Sequence, residues 1–168
     1  LTTGFGLLFF GLSMMKDSVS ILQNSFDFDD FANTNIFVFA ISGFVFTAII
    51  QSSSATMAIA LTALNAQILT LESAAALIVG ADMGTTITAT IGAIGGTSEK
   101  KRVAAAHVLF NLTTTVFALI VLHPLLWLVN IVIGYGNPLY SLMLFQSGFN
   151  LIGIFAFLPF MNKFSEFL

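Results

Sequence analysis

One polar hexapeptide inside an apolar run does most to limit what this chain can become. Gln51-Ser52-Ser53-Ser54-Ala55-Thr56 carries four hydroxyls and a carboxamide, and residues 36–50 before it and 57–64 after it are largely apolar. Taken as one helix, residues 36–64 exceed the ~20 residues that a bilayer crossing needs; taken as two, each piece falls short of it. Polar groups at membrane depth are costly unless they find partners. Non-helical backbone survives there only when buried in protein or lining a wet cavity. The pattern predicts two half-helices meeting at a polar tip, a re-entrant hairpin over residues 36–64, with the tip as the candidate binding site.

The setting at membrane depth comes from composition. Of the 168 residues 57% are hydrophobic and only 8% are charged, against roughly 25% charged in a soluble domain. This is an integral membrane chain. The lack of cysteine excludes disulfides and thiolate metal sites. The one basic cluster, Lys100-Lys101-Arg102, is no nucleic-acid patch. Leu1 already lies in an apolar run, so no signal peptide is expected, and a start inside a longer chain fits the same fact.

In chain order, residues 1–22 read as a first span with Gly4 and Gly11 as small contact points and Lys16 and Asp17 near an interface. Asp27, Asp29 and Asp30, mixed with phenylalanines, read as a solvated interfacial loop; their spacing does not match a calcium loop. Asn33, Thr34 and Asn35 offer N-cap chemistry for a helix from Ile36. After the tip, Asn65-Ala66-Gln67 closes the hairpin. Residues 74–96 are long enough to span but are interrupted by Gly80-Ala81-Asp82-Met83-Gly84-Thr85-Thr86. Gly80 with Gly84, and Gly92 with Gly96, have the spacing of close helix packing. Packing does not need Asp82, and the helix is expected to open around it. Residues 96–102 read as a loop and 103–122 as a span carrying His107, Asn111 and three threonines. His123-Pro124 ends it, residues 125–133 are too short to cross, and residues 139–160 form the last span with Gln146, Ser147 and Asn150. Residues 107–112 and 146–151 echo one another, which places an Asn at the same point of two spans. With Lys100, Lys101 and Arg102 in the cytoplasm, the positive-inside rule is obeyed by every basic cluster except Lys16, provided residues 36–64 do not cross.

A helix break suits an anion, because the second half-helix offers free N–H groups and its positive dipole end. Ser52, Ser53, Ser54 and Thr56 add hydroxyl donors, and broken helices of secondary transporters aim at anionic groups in this way. Hydroxyls and unwound carbonyls also suit sodium. No Lys or Arg lies inside a span except Lys16 near an end, so a buried anion needs accompanying cations. Asp82 needs a partner too, a sodium ion or a proton. This points to ion-coupled anion transport. An intramembrane serine protease built on Ser52–Ser54 and His107 lacks a nucleophile elbow. Polar tips that only pack helices, in a channel or structural subunit, stay open as the alternative.

At this point the residues resemble the sodium–phosphate cotransporter family, type II with its bacterial members. Gln51-Ser52-Ser53-Ser54 is similar to its Q-S-S-S motif, Gly80 to Thr86 to its G-x-N-I-G-T-T element, and His107 with Phe110-Asn111 to a further pattern. The likeness covers residues 4–115 well and the rest loosely. Two departures stand out: Asp82 occupies the usual Asn position, and Gln146-Ser147-Gly148 is not a second Q-S-S-S. Family members carry two inverted units with a site between their hairpins. The resemblance therefore implies an all-α membrane protein with about four transmembrane helices and one re-entrant hairpin, one half of an inverted-repeat transporter. The chain is then a single transmembrane unit over 1–168, with its core repeat at about 4–122. It implies sodium-coupled phosphate cotransport, not catalysis, in the cell's inner membrane. The partners expected are phosphate, sodium, the lipid bilayer and a second unit or second copy of the chain; no organic cofactor is expected, with sodium as the coupling ion. Gln51, Ser52, Ser53, Ser54 and Thr56 are expected to bind phosphate. Gln51, Ser54, Asp82, Gly84, Thr85, Thr86 and Asn111 are expected to bind sodium.

Overall fold

The structure is a computed structural model that describes residues 2–25, 35–134 and 136–161. It is built of α1 (Thr2–Ser25), α2 (Ile36–Ile50), α3 (Ser53–Asn65), α4 (Leu71–Ala93), α5 (Ser98–Ile120), α6 (Leu122–Ile133) and α7 (Pro138–Phe157), with a 3₁₀ turn at Leu158–Phe160. No strand occurs among the described residues. The expectations for Asp27, Asp29, Asp30, Asn33 and Thr34 lie outside them.

Local chemistry sets the helix starts. Asn35 Oδ1 accepts the Phe37 N–H at 3.0 Å, and Thr70 Oγ1 accepts that of Ser73 at 3.1 Å. Asn137 caps Leu139 and Tyr140, with Pro138 at the first position of α7. Each cap satisfies a donor that a helix start leaves unpaired. Residues 98–102 are helical rather than loop: Glu99 in the first turn complements the dipole, and nothing there breaks a helix. The span α5 ends at Ile120, just before His123-Pro124 as expected, and the pair itself lies in the first turn of α6, where a proline lacking its N–H does little harm.

Among the described residues three helices, α4, α5 and α7 with its 3₁₀ extension, are long and apolar enough to cross a membrane. The apolar stretch of α1, Thr3–Met15, and the helices α2 and α6 are shorter. Large apolar side chains stand open on the outside, Ile49, Val103 and Ile120 among them at 76%, 70% and 73% exposure. A hydrocarbon solvent explains this, since water would not tolerate so wide an apolar face.

At the centre stands α4, which packs against α2, α3, α5, α6 and α7. Its Ala74, Ala75, Ala76, Val79 and Ala81 are buried. Small residues let backbones approach closely where lipid gives no hydrophobic drive between helices. A Cβ on Gly43 would strike the Leu77 carbonyl, and one on Gly80 the Ala40 carbonyl. A Cβ on Gly84 would come within 2.6 Å of Thr47 Cβ. Gly80 and Gly84 are thus packing glycines, and α4 runs unbroken through residues 80–86. The expected opening around Asp82 is overturned: tight contact with α2 holds the helix, and the local hydroxyls bond back to it. The second glycine pair behaves differently, because a Cβ on Gly92 would meet nothing within 4 Å.

Candidate functional site

At the polar hexapeptide two short helices, α2 and α3, meet end to end. Gln51 ends α2 in the left-handed region, φ 58° and ψ 29°, and its N–H donates to Thr47 O at 2.6 Å. A side chain in that conformation costs about 1–2 kcal/mol, and such strain gathers at functional sites. Ser52 follows in extended geometry and caps α3, its Oγ accepting the Ala55 N–H at 3.3 Å. Thr56 is buried; its N–H donates to Ser52 O at 3.2 Å, and its Oγ1 lies 3.3 Å from the same carbonyl.

That capping leaves a defined remainder. Within the described residues, the hydroxyls of Ser53 and Ser54 and the backbone N–H groups of the same two residues have no hydrogen-bond partner. Ser53 is half-buried and Ser54 and Gln51 are exposed. Four donors therefore stand at the positive end of a 13-residue helix, a setting that favours an oxyanion.

One residue that joins the site was missing from the sequence reading. Thr47, fully buried one turn before the break, shares a 2.7 Å hydrogen bond with Thr56 Oγ1. It ties α2 to α3 across the break and fills the space beside Gly84. Thr47 thereby sets Gly84 of α4 next to the α2–α3 break. A Thr in an apolar run was the available signal.

Asp82 faces elsewhere. It lies two residues, roughly 200° of helix, from Gly84, and its carboxylate meets α7. Gln146 Nε2 donates to Asp82 Oδ1 and Oδ2, both at 3.2 Å. Asn150 Nδ2 donates to Oδ2 at 3.0 Å. Two neutral amides from another helix thus stand beside the carboxylate, partners that the expectation of a sodium ion or a proton did not include. Two carboxamides one turn apart in an apolar span were the signal. Gln146 Oε1 is buried and has no partner.

The remaining expected residues turn inward on their own helices. Thr85 Oγ1 donates to Asp82 O at 2.7 Å and Thr86 Oγ1 to Met83 O at 2.8 Å. Buried Asn111 donates from Nδ2 to His107 O at 3.0 Å. Asn150 makes the matching bond to Gln146 O at 3.1 Å, so the sequence echo has a shared local geometry.

A sequence model of the family described as Na+/Pi-cotransporter matches residues 29–160. "Uncharacterized protein YqeW" of Bacillus subtilis (strain 168) is 30% identical over 164 residues, covering 96% of this chain and 53% of that protein. The chain thus spans about half the length of this curated relative. No solved structure matches it.

Proposed function

The chain belongs to the Na+/Pi-cotransporter family, and on that premise we propose that it carries inorganic phosphate across a cell membrane, coupled to sodium. The observation that carries the proposal is the set of unpaired donors at the α2–α3 break. Phosphate takes the Ser53 and Ser54 hydroxyls and N–H groups, with Ser52, Thr56 and Gln51 shaping the cradle. Thr47 is added to that set as the residue that holds the two half-helices together. Carboxamides, hydroxyls and carbonyls at Gln51, Ser54, Gly84, Thr85, Thr86 and Asn111 supply oxygens for sodium, and Asp82 supplies its carboxylate separately, on the side that meets α7.

The break supports a re-entrant reading of residues 36–65. Helices of 15 and 13 residues are too short to cross singly, and both rest on α4. Such a unit presents one tip, so the complete site draws on a second, inverted unit, in the same protein or in a second copy. Charge balance supports the coupling: residues 36–93 contain no Lys or Arg, and a bare buried anion is prohibitively costly.

The test is uptake of labelled phosphate into proteoliposomes under an imposed sodium gradient. The expected result is uptake that collapses when potassium or choline replaces sodium. Uptake indifferent to the cation, or no phosphate movement with the protein folded, would leave the polar break as helix packing.

A further inference from the structure

The contact between Asp82 and α7 does something that the phosphate cradle does not require. An ionised carboxylate only accepts hydrogen bonds, so both amides turn their nitrogens toward it, Gln146 to both oxygens and Asn150 to one. The consequence falls on Gln146. Its carbonyl oxygen is left in a buried position with no donor, which is costly in a low-dielectric setting. A purely structural amide pair would have no reason to keep this defect.

We infer that Asp82, Gln146 and Asn150 form a two-state site for a sodium ion, built between α4 and α7. Without the ion, amide nitrogens satisfy the carboxylate and Gln146 Oε1 is stranded. With the ion, each amide turns over about its terminal torsion, a soft and roughly two-fold rotation. Gln146 Oε1 and Asn150 Oδ1 then join the Asp82 oxygens as ligands, hard neutral donors around one carboxylate. The ion cancels the carboxylate's charge, and the stranded acceptor finds its partner. The inference rests on the sodium-coupled reading above and adds Gln146 and Asn150 of α7 as ligands.

The experiment is a sodium titration of the purified full chain in detergent, without phosphate, by binding of radioactive sodium and by thermal melting, with choline holding ionic strength constant. Gln146→Met keeps the volume and removes the amide, and should weaken sodium binding at least tenfold. Gln146→Glu sets a second carboxylate beside Asp82. Its melting temperature should rise with sodium more than that of the wild type, and choline should give no such rise. Ser147→Ala, on the exposed side of α7, should titrate as wild type does. Unchanged sodium affinity in Gln146→Met, or a Gln146→Glu melt blind to sodium, overturns the site. If phosphate transport still needs sodium in that case, the transport reading stands without it. If Gln146→Met loses sodium binding and Gln146→Glu gains its sodium response while the wild type moves no phosphate, the site stands and the transport reading falls.

Discussion

The hydroxyls of Ser53 and Ser54 have no hydrogen-bond partner among the described residues, unlike many of the hydroxyls carried by the spans. Thr62, Thr85, Thr86, Thr90, Thr113 and Thr114 all donate to carbonyls of their own helices, the usual way of satisfying a hydroxyl in an apolar setting. At the start of α3 the helix offers no upstream carbonyl, because the break has removed the preceding turn. Ser53→Ala should therefore cost little in folding. One hydrogen bond to a charged ligand is worth about 1.5–3 kcal/mol, so phosphate affinity should fall roughly ten- to hundredfold. Equilibrium binding of labelled phosphate beside a thermal melt checks both halves, and a poorly folded mutant with normal affinity would reverse the assignment. Thr47→Val is expected to behave in the opposite way. It breaks the 2.7 Å pair with Thr56 and should lower stability by about 1 kcal/mol, read as a drop in melting temperature.

Among the elements, α2 and α4 form the tightest pair, and the reason is three glycines. At Gly43 and Gly80 the neighbour is backbone carbonyl, which cannot rotate away as a side chain can. Gly80→Val should destabilise by about 3 kcal/mol or more. Gly92→Ala, on the same helix where a Cβ meets open space, should be neutral or gain about 0.5–1 kcal/mol. Melting both in one detergent separates packing from helix propensity. The topology of α2 and α3 is tested at the same scale. Single cysteines at Asn35 and Gln67, both exposed, should react with an impermeant thiol reagent from one side of the membrane, and one at Ser98 from the other. Labelling of Asn35 and Gln67 from opposite sides would make residues 36–65 a crossing.

For the whole molecule the decisive quantity is charge moved per phosphate. Asp82 is the acidic residue in the middle of a span, and each elementary charge crossing the field is worth about 2.3 kcal/mol per 100 mV. Asp82→Asn keeps the shape, and its amide can still pair with Gln146 and Asn150. Phosphate should still bind, sodium dependence should change, and the net charge per phosphate should shift by about one. Transport current set against phosphate flux measures it. An unchanged ratio with unchanged sodium dependence would make Asp82 structural. The open apolar flanks of α5 and α7 suit contact with lipid.

What the sequence by itself determined was local. Apolar run lengths against bilayer thickness marked the long helices, and Gln51-Ser52 marked the break, because a capping serine and lost apolar continuity act within a few residues. Tertiary structure decided the rest. The glycine element could have opened around Asp82 or packed, and only the approach of α2 settled it as packed. Thr47 became part of the site through a partner across the break. Asp82 found Gln146 and Asn150 at sequence separations of 64 and 68, pairings that no local pattern encodes. A propensity acts within a turn or two of helix, whereas a buried carboxylate takes whichever donors the packing of distant helices brings to it.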